Sequence, residues 1–155
     1  MKKQLPRLLL LRNADVFAPQ PLGVRDLLLG GGQVLWIGAL GELAALPPAL
    51  DTVTEIIDLG GARLIPGLID CHVHVTGGGG EAGFRTRVPP LPLSQLTLAG
   101  VTSVIGLLGT DDIARGPREL LAGIYALREE GLNAWCYTGG YHVPPATLTD
   151  RKSVV

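Results

Sequence analysis

Two histidines one residue apart, His72 and His74, are the clearest candidates for chemistry in this chain of 155 residues. They stand at the end of an apolar run that begins near Leu68. Side chains of a strand alternate between its two faces, so both imidazoles would share one face, about 7 Å apart along the strand. Neutral imidazole is the commonest protein ligand for transition metals such as zinc. The pair therefore predicts a metal site to which other residues must add ligands.

Two neighbours of the pair each have alternative interpretations. Asp70 shares the histidine face, and it would either orient a histidine from outside the metal shell or bond to the backbone at the strand end. Cys71 lies on the opposite face with Ile69 and Val73. That face is apolar and is expected to pack against helices, so Cys71 is predicted to be a small buried hydrophobe rather than a ligand. A bare His-x-His motif is often only a pair of core histidines, but the shared face and the glycine-rich loop that follows favour metal binding.

The elements that position the pair alternate between strands and helices after residue 64. The expected strands are Leu64–Val75, Val101–Leu108 and Asn133–Tyr137, and the expected helices are Pro92–Ala99 and Pro117–Glu130. Strands that alternate with helices predict a parallel sheet with right-handed crossovers. A (β/α)8 barrel needs about 250 residues. Residues 64–149 therefore predict the first three βα units of an α/β barrel that is incomplete in this chain.

Residues 1–63 have a different pattern, with short strand-like runs separated by turn residues. The runs are Leu8–Leu11, Asp26–Leu29, Gln33–Ile37 and Glu55–Leu59, and Leu43–Leu50 is expected to be a loop or a broken helical turn. Gly30, Gly31 and Gly32 predict a hairpin turn, because they lack the helix and the Gly-Lys-Ser/Thr ending of a phosphate-binding loop. This region predicts a small β-sandwich domain.

Composition limits the classes of function. Hydrophobic residues make up 46% of the chain, charged residues 17%, and the formal net charge is -1. This is a core-forming composition with no Lys/Arg cluster, so nucleic acid is not an expected partner. The run Leu8–Leu11 is too short for a signal peptide, and no stretch approaches the ~20 residues that span a bilayer, so no membrane is expected. Two distant cysteines, Cys71 and Cys136, predict a reducing, cytoplasmic setting.

Four sequence segments resemble known families. The segment Leu64–His74 is similar to the signature at the first barrel strand of the amidohydrolase superfamily, which includes dihydroorotases, hydantoinases and imidazolone hydrolases. The segments Gly77–Gly83, Ala99–Asp111 and Thr138–Pro144 follow in order and resemble the isoaspartyl dipeptidases. The resemblance runs from about residue 17 to residue 149. It implies a metal-dependent barrel hydrolase with an N-terminal β-sandwich.

The resemblance implies roles for the histidines and for the glycine loop. His72 and His74 match two ligands of one zinc in a binuclear centre. The stretch Gly79, Gly80 and Glu81 matches the loop that holds the substrate, with Glu81 meeting the free α-amino group of a small dipeptide. Glycines let a backbone approach a ligand closely, and a carboxylate complements a charged amine. Taken alone, Glu81 would be a solvated loop acid.

Two further substrate contacts are implied after the second and third strands. Thr110 and Tyr141 match substrate-binding residues of the family, and Tyr141 also matches a group that stabilises the developing oxyanion. Taken alone, Thr110 would cap the next turn and Tyr141 would be an amphipathic rim residue. His142 matches no ligand role.

The family pattern also sets expectations for what lies further along. A carboxylated lysine, two more histidines, a catalytic aspartate and substrate-binding arginines would follow Thr149, and the complete protein would be a homo-oligomer. Residues 150–155 depart from the pattern and resemble a translated sequencing adapter, with a divergent terminus as the alternative. The chain is therefore expected to be an inactive fragment of a zinc-dependent β-aspartyl dipeptidase. The alternatives are another amide or cyclic-amide hydrolase, dihydroorotase-like or hydantoinase-like, or a non-catalytic scaffold on the same fold.

Overall fold

The computed structural model describes residues 8–43, 53–111 and 114–148. They belong to two compact units, Met1–Pro66 and Gly67–Val155. The sequence pattern placed this boundary between residues 63 and 64. The predicted loop Leu43–Leu50, apart from Leu43, and the segment 150–155 lie outside the described residues.

The first unit contains one mixed β-sheet. Its strands are β1 (Leu8–Phe17), β2 (Pro21–Gly30), β3 (Gln33–Gly38), β4 (Thr54–Asp58) and β5 (Arg63–Leu64). The order is β3-β2-β1-β4, with β5 also paired to β1. Strands β1, β2 and β3 are antiparallel neighbours, whereas β4 and β5 run parallel to β1. Among the described residues this is one layer of the two that a sandwich requires.

The hairpin predicted at the glycine triplet is confirmed. Gly30 of β2 pairs with Gln33 of β3, so only Gly31 and Gly32 form the turn. Their φ angles are 59° and 76°. A two-residue turn of this kind needs positive φ at both positions, which glycine adopts without steric cost.

The second unit contains a three-stranded parallel sheet with crossover helices. In chain order its elements are β6 (Leu68–Val73), β7 (Gly78–Gly79), β8 (Arg87–Val88), α1 (Leu93–Leu98), β9 (Val101–Gly106), α2 (Pro117–Glu129) and β10 (Asn133–Cys136). The sheet order is β10-β9-β6, and both pairings are parallel. The short strands β7 and β8 form a separate antiparallel ribbon. This is the start of a barrel of the expected α/β class, with three of its eight strands. None of the helices in the described ranges is long and apolar enough to cross a membrane.

Helix α2 follows the sequence signals for its start, its buried face and its end. Pro117 occupies the first turn, where its missing N–H costs nothing. Leu120, Ile124 and Leu127 are buried at helical spacing. Gly131, at φ 95°, follows the helix and lets the chain reverse. The N–H of Gly131 donates to Arg128 and that of Leu132 to Leu127, a Schellman motif that satisfies two terminal carbonyls.

The core of the second unit lies between the sheet and its helices. Its buried strand residues are Val73, Val104 and Ala134, and its buried residues outside the strands are Val75, Leu96, Leu108, Leu120, Ile124, Leu127 and Leu132. The prediction that Cys71 is buried is wrong, because the structure exposes Cys71, and Ile69 on the same face is 67% exposed. The strand β6 is an edge of this sheet, and α1 and α2 pack against β9 and β10 instead. The apolar face of β6 is therefore covered only near its carboxyl end.

We expect Ile124→Ala to destabilise the second unit by about 2–5 kcal/mol, because it opens a cavity in a core where Ile124 is 1% exposed. The measurement is a denaturant melt followed by tryptophan fluorescence in a Trp36→Phe background, in which Trp135 of the second unit is the remaining tryptophan. The control is Glu129→Ala on the exposed face of the same helix, which should change stability by no more than about 0.5 kcal/mol. Equal effects of the two substitutions would contradict this description of the core.

The two cysteines should differ in their reaction with thiol reagents. Burial raises the pKa of the Cys136 thiol, an effect that the nearby Arg128 guanidinium partly offsets, whereas Cys71 is exposed. Iodoacetamide should therefore label Cys71 first, and mass spectrometry of the labelled peptides measures the two rates. Because the folded pKa of Cys136 lies above its unfolded value, its contribution to stability is present below the unfolded pKa. That contribution is lost as pH rises through the folded pKa. Faster labelling of Cys136 at neutral pH would contradict the expectation.

Candidate metal and substrate site

The carboxyl ends of the parallel strands bring three loops to one edge of the sheet. The N–H of Leu107, after β9, donates to the carbonyl of Val73 at 3.1 Å. The N–H of Tyr137, after β10, donates to the carbonyl of Gly106 at 2.9 Å. Neighbouring loops therefore begin side by side, at the edge where α/β barrels hold their active sites.

The two histidines of the motif lie together at this edge. Their ring centroids are 5.3 Å apart and the rings are nearly perpendicular, at 78°. His72 is exposed and His74 is half-buried. Zinc lies about 2.0–2.1 Å from a ligating nitrogen, so two imidazoles on one tetrahedral ion have ring centres roughly 5 Å apart. The spacing of this pair suits a shared ion.

The ring of His74 packs closely against two glycines, Gly78 and Gly109. A Cβ atom at Gly78 would be 2.8 Å from its Cγ, and a Cβ atom at Gly109 would be 3.3 Å from its Cε1. The Nδ1 atom of His74 is buried and has no hydrogen-bond partner within the described part of the chain. Such a nitrogen costs about 1–3 kcal/mol if nothing binds it. A ligating role for this ring fits both the tight packing and the unpaired nitrogen.

By themselves the two histidines would make only part of a metal shell. Within residues 8–43, 53–111 and 114–148, no group of three His, Cys, Asp or Glu side chains could hold an ion. Catalytic zinc sites usually take three ligands from protein. The carboxylate of Asp70 accepts a hydrogen bond from the backbone N–H of His72 at 3.0 Å, so the backbone-bonded interpretation of Asp70 is the one observed.

The glycine loop after His74 folds back as the β7–β8 ribbon. Gly77, Gly79 and Gly80 have φ angles of 89°, 73° and 100°. A side chain at Gly77 or Gly79 would collide with the carbonyl oxygen of Val88 or Thr86. Close approach of a substrate to Gly79 and Gly80 stays a prediction. The structure gives Gly77 and Gly79 a further role, because the absence of a side chain there admits the chain's own backbone.

The predicted substrate contacts lie around this ribbon and at the next loops. Glu81 is exposed in a turn that the N–H of Gly83 closes by donating to Gly80 at 3.0 Å. The hydroxyl of Thr110 donates to the carbonyl of Gly79 at 3.2 Å, so Thr110 joins the β9 loop to the glycine loop. Tyr141 is 69% exposed and lines a cleft of about 200 Å³ with Leu107, Leu108 and residues 137–140.

A buried ion cluster that the sequence did not predict lies beside the glycine loop. Asp111 is 4% exposed, and its Oδ2 lies 2.9 Å from Arg115 Nη1 and 3.4 Å from Arg87 Nη1. The available signal was an acid followed four residues later by an arginine. The contact with Arg87 spans 24 positions and had no local signal.

We expect zinc binding by this chain to depend on both histidines of the motif. His72→Ala and His74→Ala should each weaken zinc binding at least tenfold, since losing even a residue that only orients a ligand by a hydrogen bond costs roughly 10–100-fold. Isothermal titration with zinc measures the change. The control is His142→Ala, the third histidine of the chain, which should leave binding within twofold. An equal loss in all three variants would indicate nonspecific binding.

Comparison with known proteins gives two groups of relatives. No family model matches the chain. Imidazolonepropionase from Pseudomonas paraeruginosa is 43% identical over 134 residues, which cover 83% of this chain and 32% of that protein. A Pseudomonas aeruginosa imidazolonepropionase is 35% identical over 131 residues, covering 81% of this chain and 30% of that protein. The chain thus spans about a third of the length of the curated relatives that it matches.

The solved structures give the second group. The β-aspartyl dipeptidase from Fervidobacterium islandicum AW-1, solved in complex with the dipeptide β-Asp-Leu, has a TM-score of 0.85 and 44% identity. The match covers 95% of this chain and 37% of that protein. A triazine hydrolase variant, with a TM-score of 0.55 and 18% identity, shares the fold alone. With the paired histidines at the end of the first barrel strand, these likenesses place the chain in the amidohydrolase superfamily.

Proposed function

We propose that this chain is the metal-binding and substrate-binding N-terminal part of a zinc-dependent hydrolase of β-aspartyl dipeptides. The observation that carries the proposal is the geometry at the carboxyl end of β6, where His72 and His74 are followed within a few residues by the glycine ribbon that carries Glu81. The likeness to a β-aspartyl dipeptidase that holds β-Asp-Leu supports this substrate class.

The histidines would hold one metal ion at the loop edge of the barrel. Gly78 and Gly109 leave room for the ring of His74 to pack closely against them, and the N–H of His72 donates to Asp70, which fixes the backbone at His72. A bound zinc ion would polarise the scissile carbonyl and activate water. Further ligands must complete the shell, because two imidazoles fall short of the usual three protein ligands. We therefore propose that the 155-residue chain by itself does not turn over substrate.

Glu81 would recognise the free α-amino group of the substrate. It lies at the turn of a ribbon that begins four residues after the second histidine, at Gly78, and it is exposed. A carboxylate paired with an ammonium forms a charge-assisted hydrogen bond, which is stronger than a neutral one. A β-aspartyl dipeptide carries that ammonium on the residue whose side-chain amide is cleaved.

Tyr141 and Thr110 would act on other parts of the substrate. The phenol of Tyr141 is exposed in the cleft beside the loop after β9, where it could donate to an oxyanion that forms on the carbonyl oxygen. Thr110 would contact the substrate. Its hydroxyl also donates to the carbonyl of Gly79, so it would hold the loop that carries Glu81 as well.

A second candidate function is hydrolysis of a cyclic amide, as the name imidazolonepropionase indicates for the Pseudomonas relatives. The observation in its favour is the 43% identity over 83% of this chain. The two candidates share the metal site and differ in the group that the glycine ribbon must recognise. Only the dipeptide requires a carboxylate for an α-ammonium group.

A chimera tests the two candidates directly. Residues 8–148 would replace the aligned segment of the Fervidobacterium β-aspartyl dipeptidase, whose remaining strands complete the barrel. We expect zinc-dependent hydrolysis of β-Asp-Leu by the chimera and none by the 155-residue chain. A folded, zinc-loaded chimera that hydrolyses imidazolonepropionate and leaves β-Asp-Leu intact would establish the second candidate instead.

In that chimera, Glu81→Gln should lower kcat/KM for β-Asp-Leu roughly 5-fold to 150-fold. This factor corresponds to a loss of about 1–3 kcal/mol, because a charged hydrogen bond is lost. The matched control is Glu129→Gln, the same substitution at an exposed helical position, which should have no effect. Unchanged kcat/KM in the Glu81→Gln chimera would exclude Glu81 from amine recognition.

A further inference from the structure

The carboxylate of Asp111 is the most buried charged group of the second unit among the described residues. Its side chain is 1% exposed and is flanked by two guanidinium groups, that of Arg115 at 2.9 Å and that of Arg87 at 3.4 Å. Its other oxygen accepts a hydrogen bond from the N–H of Ala114 at 3.3 Å. A buried carboxylate with three donors has its hydrogen-bonding capacity largely satisfied, so its position is well defined.

This cluster joins two loops that are far apart in sequence. Asp111 and Arg115 belong to the connection between β9 and α2, whereas Arg87 belongs to the β7–β8 ribbon. Arg115 also donates from Nη2 to the carbonyl of Val88 at 3.2 Å. The ribbon is therefore held both through a side chain and through its backbone.

The cluster also contacts the glycine loop that leads to Glu81. A Cβ atom at Gly80 would lie 3.3 Å from the Cβ atom of Asp111, so the two residues are packed closely. The preceding residues make a second contact, because Thr110 donates to the carbonyl of Gly79. Thr110 and Asp111, which are consecutive, thus contact Gly79 and Gly80, which are consecutive in the glycine loop.

The loop needs such an external hold. Residues 77–80 are all glycine, which loses more conformational entropy on ordering than any other residue. Residues 81–90 are all exposed, so this stretch has no buried side chain of its own to anchor it. The polar contacts with the β9–α2 connection therefore add to the short backbone pairing of β7 with β8 in fixing the segment.

We propose that Asp111 is a positioning residue, which with Arg87 and Arg115 holds Gly79, Gly80 and Glu81 in the conformation that presents Glu81 to the substrate. The role of Glu81 in this statement rests on the proposed function. The contacts by which Asp111, Arg87 and Arg115 fix the loop do not depend on that function. The fixing of the loop and the role of Glu81 are therefore tested by separate experiments.

Hydrogen exchange of the 155-residue chain tests the hold. Asp111→Asn keeps the size of the side chain and removes its charge, and Arg115→Met removes the partner charge while keeping the aliphatic stem. Each should accelerate amide exchange at residues 77–88 about tenfold, with exchange in β9 and α2 unchanged. The control is Asp15→Asn, which breaks an Asp–Arg pair with Arg63 in the first unit. Unchanged exchange at 77–88, or equal acceleration in β9 and α2, would overturn the proposal.

A double-mutant cycle in the chimera tests the link to Glu81. Asp111→Asn should raise KM for β-Asp-Leu about tenfold and leave kcat within twofold, because it weakens substrate binding rather than the chemical step. Combined with Glu81→Gln it should add little, since both changes act through one contact. If the effects of the two substitutions on KM multiply in the double variant, Asp111 does not act through Glu81. A chimera without β-Asp-Leu activity would refute the proposed function and leave the exchange result to decide the hold.

Discussion

The parallel pairing of β6 with β9 is the constraint on which the candidate site depends. Because the two strands run in the same direction, the loops that follow them start at the same edge of the sheet, and the hydrogen bond from Leu107 to Val73 extends the pairing to that point. His74 then lies beside Gly109, and Gly79 lies within reach of Thr110. A shift of this register would separate the contacts that join the loop after β6 to the loop after β9, such as those of His74 with Gly109 and of Gly79 with Thr110.

The sequence predicted the elements whose signals are local. The helix at Pro117–Glu129 followed from a proline start, an apolar stripe and a glycine end, all within sixteen residues of one another. The hairpin at Gly31 and Gly32 followed in the same way. The exposure of Cys71 was not predictable from alternation alone, because it depends on which helices cover β6.

The same distinction holds for the site. The histidine pair was predictable, since strand alternation places positions 72 and 74 on one side and the structure brings their rings to 5.3 Å. The roles of Glu81, Thr110 and Tyr141 came from family resemblance and stay predictions. The ion pair of Asp111 with Arg87 was not predicted from the sequence, because it depends on how the loop after β9 meets the β7–β8 ribbon in the folded chain.

Identity at about the same level to two kinds of hydrolase, 43% and 44%, has a physical explanation in this segment. In the proposed function, β6 and its histidines would carry the metal half of the chemistry, which both candidate reactions share. Specificity requires groups that touch the part of the substrate that differs, and we propose that the β7–β8 ribbon with Glu81 supplies one of them. A glycine-rich ribbon has few contacts of its own, so its conformation is determined by its neighbours. A change in a buried partner such as Asp111 could then alter substrate recognition while leaving both histidines in place.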